Sequence, residues 1–204
     1  MTTVNVLACI DASRSAMGVC DYAAWASLRL EAPLVFLHVL DHSSFPVHGD
    51  LSGNIGLGSR EHLLEELANL DEKRARLMRE QGQLMLEAAL ERARADGVAE
   101  PVSRQRHGDL VDTLQELEPE IRLLVMGRQG EEADSLGRHV GTHLESVVRT
   151  MHRPILVTAG EFRQPRSVML AFDNGPSTRK GVDMIAESPL FKGMPIHLLM
   201  VGAD

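Results

Sequence analysis

The residues best placed to do chemistry are Val125-Met126-Gly127-Arg128-Gln129-Gly130, followed after ten more positions by Gly141-Thr142. An apolar run that ends in glycines and then opens a helix lets backbone N–H groups approach phosphate oxygens with no Cβ in the way, and the helix dipole adds attraction. Thr142 brings a hydroxyl donor to the same place. Glycine is also the default residue of tight turns, so the glycines alone leave a structural reading open. Asp11, after the first apolar run, offers a carboxylate for ribose hydroxyls, although a lone Asp in that position is often a helix cap. Val39, near the end of the second run, offers an apolar wall for a base. Convergence of these features on one point favours a nucleotide site.

Rival motifs are missing. The sequence has no Gly-x4-Gly-Lys-Ser/Thr, no Gly-x-Gly-x2-Gly, no Gly-x-Ser-x-Gly and no His-Glu-x-x-His. His38, His42, His48 and His62 cluster in sequence, but without the helical spacing or carboxylate neighbours of a zinc site, and read as solvated loop histidines. Cys9 and Cys20 form no CxxC pair and read as reduced, small hydrophobes. The Leu77, Met78, Leu84 and Met85 pattern reads as helix core, with Met filling irregular gaps.

The elements that must position these residues follow from apolar periodicity. Residues 4–10 form a short apolar run, residues 14–30 carry helical spacing, and residues 34–40 supply a buried-type strand. Residues 42–59, rich in Gly, Ser and Pro, read as a loop. A long helix is expected over residues 60–95, supported by Glu72 and Arg76 at i,i+4 spacing and ended by Asp96-Gly97. Residues 98–106 read as a more polar strand near a sheet edge. Asp109 can cap a short helix to Leu117, a strand follows over residues 121–126, a helix over residues 142–151, and a fifth strand over residues 154–158.

That alternation demands a doubly wound parallel sheet, because every crossover is long and helical. Ligands in such sheets bind beyond the carboxyl ends of the strands at the topological switch point, here flanked by the first and fourth strands. After a linker at residues 160–165, Val168-Met169-Leu170-Ala171-Phe172-Asp173 repeats Val6-Leu7-Ala8-Cys9-Ile10-Asp11 at an offset of 162, and Pro195 matches Pro33 at the same offset. The expected organisation is a complete domain over residues 1–160 and a partial second copy over residues 161–204. A strand-helix-strand fragment buries too little surface to stand alone and must pack on something.

Together the Asp11 turn, His38-Val39-Leu40-Asp41, the Val125–Gly130 run, Gly141-Thr142 and Arg153-Pro154-Ile155-Leu156-Val157 resemble the universal stress proteins. The likeness runs over residues 4–159 and restarts at Arg166, as in tandem members. It implies a five-stranded sheet of order 3-2-1-4-5 with the adenine nucleotide alpha hydrolase-like fold. It also implies ATP or another adenine nucleotide as ligand, with Mg accompanying it. Cys9, Ile10, Asp11 and Val39 would line the base and ribose, while Met126, Gly127, Gly130, Gly141 and Thr142 would hold phosphates. Nucleotide-binding members carry Gly-x2-Gly-x9-Gly-Ser/Thr, whereas this chain has ten residues in the second gap, with Glu131, Glu132 and Asp134 among them. Its Asp11-Ala12-Ser13-Arg14-Ser15 turn also lacks the Ser-Gly-Gly loop of the related ATP pyrophosphatases. In the resemblance the fifth strand lies at a sheet edge and pairs with a counterpart, which implies a homodimer through residues 154–158.

Composition bounds the rest. The 204 residues are 44% hydrophobic but only 3% aromatic, with ten Met, so the core is aliphatic and stacking platforms for bases are scarce. A formal net charge of −8 opposes nucleic-acid and anionic-membrane binding. The N-terminal residues show no signal peptide, and no apolar run approaches the roughly 20 residues of a membrane span, so a cytoplasmic protein is expected. Three functions remain: a nucleotide-responsive regulator with an unidentified protein partner and at most weak ATP hydrolysis, a nucleotide-free dimeric scaffold with a degenerate site, and, behind these two, an ATP-using enzyme of the wider adenine-nucleotide-binding superfamily.

Overall fold

The structure is a computed structural model and describes residues 4–40, 57–128 and 142–200. In chain order these form β1 (Asn5–Cys9), α1 (Ala16–Leu30), β2 (Leu34–Leu40), α2 (Leu57–Ala95), β3 (Val102–His107), α3 (Leu110–Leu117), β4 (Ile121–Gly127), α4 (Thr142–Thr150) and β5 (Ile155–Thr158). A second unit follows: β6 (Val168–Ala171), α5 (Pro176–Glu187) and β7 (Ile196–Leu199). The first five strands are all parallel and run in the order β3-β2-β1-β4-β5, as expected, with β3 and β5 at the edges.

The period of two along each strand sorts side chains onto the two faces of this sheet. Val6, Ala8, Leu34, Phe36, Leu123 and Val125 pack beneath α1 and the last turns of α2. Leu7, Val35, Leu37, Leu124 and Met126 pack beneath α3 and α4. Ala23, Ala24 and Ala26 of α1 are fully buried, and their small side chains let the helix lie close to the strands. Each helix stops where the sequence supplies a stop: Glu31 adopts a left-handed conformation after α1, and Gly97, with φ of 100°, follows α2. Asp109 accepts the amide of Asp112 at 2.9 Å and caps α3.

Some expectations are corrected. Residues 57–59, assigned to the loop, belong to α2, and β3 begins at Val102 rather than Val98. Arg76 pairs with Glu80, at 3.6 Å, in place of the expected partner Glu72. His38 lies within β2, half-buried, and is no loop histidine, while His62 is an exposed residue of α2; His42 and His48 lie outside the described residues. Leu77 and Leu84, expected in the core, are exposed, whereas Met85 packs against the core as expected. The packed face of α2 runs through Gly82, Leu86, Ala89 and Ala93. Leu84 stands two residues from both Gly82 and Leu86, about 200° round the helix from each, and so faces away from the sheet.

The second unit repeats the start of the first in register as well as in sequence. Val6 aligns with Leu34 across β1 and β2, and Val168 with Ile196 across β6 and β7, both shifted by 162. The amide of Val6 donates to the Pro33 carbonyl at 2.9 Å, and that of Val168 to the Pro195 carbonyl at 2.9 Å. The unit docks on α1: Leu190 is buried in the first core, the Arg29 Nε donates to the Leu190 carbonyl at 3.1 Å, and the Tyr22 ring meets Phe162 edge-on with centroids 4.8 Å apart.

Candidate functional site

All five strands of the large sheet end on the same side, because all are parallel. At that end the chain leaves β1 for α1 on one face and leaves β4 for α4 on the other, so the strand ends separate a crevice between β1 and β4. The residues singled out from the sequence distribute around it by strand parity. Cys9, Val39 and Met126 share the α3 and α4 face, where Cys9 and Val39 are half-buried and pack against the same cluster as Met126. They form an apolar wall just below the strand ends.

Ile10 falls on the opposite parity, and its side chain is buried beneath α1. What it presents at the strand end is backbone. Its amide donates to the Leu37 carbonyl at 2.9 Å, and its own carbonyl lies 3.0 Å from His38 Nδ1. This contact ties the ends of β1 and β2 together at the rim.

Asp11 follows directly, half-buried, and its Oδ1 accepts the amide of Ser13 at 3.1 Å. The carboxylate therefore folds the turn instead of capping α1, whose N-cap residue is Ser15. Ser13 is buried, and its hydroxyl lies 2.8 Å from that of Ser15. The turn thus sets one carboxylate and two hydroxyls at the mouth of α1, a helix with no acidic residue in its first turn.

Burial, and secondarily the Asp11 carboxylate, push the Cys9 thiol up to about 12. At neutral pH it is a protonated wall residue rather than a nucleophile. On the β4 side, Gly127 aligns with Thr158 of β5 and Arg128 donates its amide to the Thr158 carbonyl at 2.8 Å, which pins the exit of the strand. Thr142 opens α4. Gly130 and Gly141 lie outside the described residues.

Ser13, Ser15 and His38 were not among the candidates. The two serines carried a signal in Asp-x-Ser-x-Ser directly after the first strand, a spacing suited to an Asx turn followed by a helix start. His38 carried one in its place within a strand rather than in the loop after it. Among the described residues no group of His, Cys, Asp and Glu is arranged to hold a metal, and no helix is long and apolar enough to cross a membrane.

Comparison with known proteins adds relatives to this geometry. The chain is 32% identical over 200 residues to the universal stress protein Slr1230 of Synechocystis sp. (strain ATCC 27184 / PCC 6803 / Kazusa), a match covering 97% of this chain and 70% of that protein. Among solved structures, a universal stress protein from Archaeoglobus fulgidus DSM 4304 superposes with a TM-score of 0.62 at 16% identity, over 98% of this chain and 66% of that one. A universal stress protein in complex with cAMP superposes with a TM-score of 0.50 at 19% identity, over 79% of this chain and all of that one. The model of the universal stress protein family matches residues 3–159, the stretch from the start of β1 to just past β5. With that match over most of its length and the curated relative beside it, the chain belongs to the universal stress protein family.

Proposed function

We propose that the chain is a stress-response regulator that binds an adenine nucleotide, ATP among them, in the crevice between the ends of β1 and β4. The observation that carries this reading is the meeting there of an apolar wall, Cys9, Val39 and Met126, with the Asp11 carboxylate and the glycine end of β4. The wall suits a base, the carboxylate suits ribose hydroxyls, and a strand end lacking a Cβ at Gly127 suits close approach of a phosphate. Gly130, Gly141 and Thr142 would complete the phosphate side. A solved structure of the same fold is a complex with cAMP, which supports an adenine nucleotide as the ligand class. Mg would enter with the phosphates, since it is usually held by one or two protein carboxylates and the substrate's own oxygens. The protein works as a regulator in the cytoplasm: nucleotide bound beside the end of β4 changes a surface read by a protein partner.

Residues 1–160 form the complete domain in this reading and residues 161–204 open a second copy, a division supported by the shared register of β1–β2 and β6–β7. Within these 204 residues the glycine-rich segment occurs once, after β4, and the nucleotide site is proposed there. The edge of β5 pairs with its counterpart in a second chain. The ten-residue gap between Gly130 and Gly141, with Glu131, Glu132 and Asp134 within it, favours the other reading, a nucleotide-free scaffold.

Mass spectrometry of ligand released from the purified protein, followed by calorimetry with ATP and with cAMP, decides between them. An adenine nucleotide released at close to one per chain, and lost in Gly130→Val without loss of the folded circular dichroism spectrum, supports the regulator. No released nucleotide and no binding heat supports the scaffold.

A further inference from the structure

His38 of β2 sits between a helix and the end of a neighbouring strand. Its Nδ1 lies 3.0 Å from the Ile10 carbonyl at the end of β1, and the other edge of its ring lies against α2, where a Cβ on Gly82 would stand 2.5 Å from Cδ2 and 2.8 Å from Nε2. Glycine is disfavoured inside a helix, and at position 82 it opens the place that the ring fills. A carbonyl can only accept, so Nδ1 carries the proton and donates to Ile10, and in the neutral ring Nε2 is bare. Gln105, aligned with His38 across β2 and β3, donates from its Nε2 to the Arg79 carbonyl of α2 at 3.3 Å and closes the same place from the side of β3.

The second unit supplies an internal comparison. At the offset of 162 the position equivalent to His38 is Met200, which has no side-chain N–H to donate. The strands there keep the same register, and the Phe172 amide donates to the Leu199 carbonyl at 2.8 Å as the Ile10 amide donates to the Leu37 carbonyl at 2.9 Å. Pairing of the strands therefore does not require the histidine. What His38 adds is a hold on the Ile10 carbonyl, and the peptide to which this carbonyl belongs leads into Asp11. That peptide is trans and planar, so fixing the carbonyl fixes the plane from which the Asp11 turn starts.

We propose that His38 is a positioning residue of the nucleotide site, which rests on the nucleotide reading above for its ligand: seated against Gly82, His38 orients the Ile10–Asp11 peptide so that the Asp11 carboxylate is presented to the ribose. By strand parity its ring shares the face of Phe36, opposite the wall of Cys9, Val39 and Met126. The ring therefore acts through Ile10 and not by touching the ligand.

Calorimetry with ATP on the 204-residue chain tests this, with His38→Met copying the second unit and His38→Asn returning an N–H at the same distance along the side chain. His38→Met should keep the circular dichroism spectrum of the parent and weaken ATP binding about tenfold, the upper end for one neutral hydrogen bond. His38→Asn should recover most of that loss, which a role in packing alone would not produce, because asparagine is smaller and fills the place less well. Without ligand, amide hydrogen exchange at residues 11–13 should be faster in His38→Met than in the parent and slower again in His38→Asn. In the parent, nitrogen NMR shifts of the His38 ring should place the proton on Nδ1, a readout that needs no variant to fold. A proton on Nε2 alone, an ATP affinity unchanged in His38→Met, or a His38→Asn chain that binds no better than His38→Met overturns the proposal. A parent chain that binds no ATP ends the nucleotide reading instead, and the hydrogen exchange and ring shifts then still decide whether His38 holds the Asp11 turn.

Discussion

Gly18 and Gly160 meet backbone to backbone: a Cβ on Gly18 would stand 2.0 Å from the carbonyl oxygen of Gly160. Gly18 lies in the first turn of α1, and Gly160 begins the linker to the second unit, so this close approach seats the linker against the helix. Tyr22, one turn further along, then receives Phe162.

Gly18→Ala should consequently destabilise the protein, although alanine is the better helix former by about 1 kcal/mol. The obstacle is backbone, which cannot swing aside as a side-chain tip can, and overpacking of this kind costs about 1–3 kcal/mol. Urea unfolding should show a lower midpoint, and proteolysis should cut faster within residues 160–167. A midpoint at or above that of the parent would mean that the linker is not seated on α1.

Asp11 and Asp173 occupy equivalent turns, each accepting an amide two residues on, from Ser13 at 3.1 Å and from Gly175 at 2.8 Å. Within these 204 residues it is Asp11 that is followed by the other four strands of a five-stranded sheet and by a glycine-rich segment. Asp11→Ala should weaken adenine nucleotide binding by about 10–100-fold, the loss of hydrogen bonds to a charged group worth about 1.5–3 kcal/mol. Asp173→Ala should leave the affinity unchanged. Calorimetry on the two variants checks this, and equal losses in both would contradict a single site in the first domain.

The thiols of Cys9 and Cys20 are each pushed from 9.0 to about 12, chiefly by burial. Both should resist iodoacetamide at pH 8 in the folded protein and react in urea. The linkage has a definite sign. Between pH 9 and 12 the unfolded chain has released these protons and the folded chain has not, so their contribution to stability is full below pH 9 and declines as pH rises through that window. Replacing both by alanine should flatten the decline of stability with pH there. Rapid alkylation of the folded protein at pH 8 would contradict the burial of these groups.

The sheet was legible because continuous apolar runs such as Leu34–Leu40 and Ile121–Gly127, separated by long helical crossovers, admit few other arrangements. The edge position of β3 was legible in its Ser, Arg and Gln. The orientation of α2 was not. Leucine and methionine sit side by side at Leu77-Met78 and Leu84-Met85, and sequence alone merged two faces about 100° apart into one core stripe. Gly82 supplied the missing information, since a Cβ there would lie 2.5 Å from His38 Cδ2, which puts this side of the helix on the sheet. In the candidate site, strand parity could have separated Ile10 from Cys9, Val39 and Met126. The contact between His38 and the Ile10 carbonyl could not be read in advance, because it joins residues 28 apart through a side chain.

The β5 edge carries the last prediction. Its residues pair with β4 from Ile155, opposite Leu124, to Thr158, opposite Gly127, and no other described strand covers its far side. An apolar edge of this kind invites another strand. Ile155 and Leu156 pack against the two cores, so a charge at either would disturb folding as well as pairing. Val157, 39% exposed, separates the two effects. Val157→Lys should leave the thermal midpoint within a few degrees of the parent, because surface changes usually stay within about 0.5 kcal/mol, while light scattering shows weaker association through this edge. A two-fold pairing places the lysines of both chains near one another, so the loss should be greater at low salt than at high salt. An association constant unchanged by Val157→Lys at low salt would remove β5 from the contact.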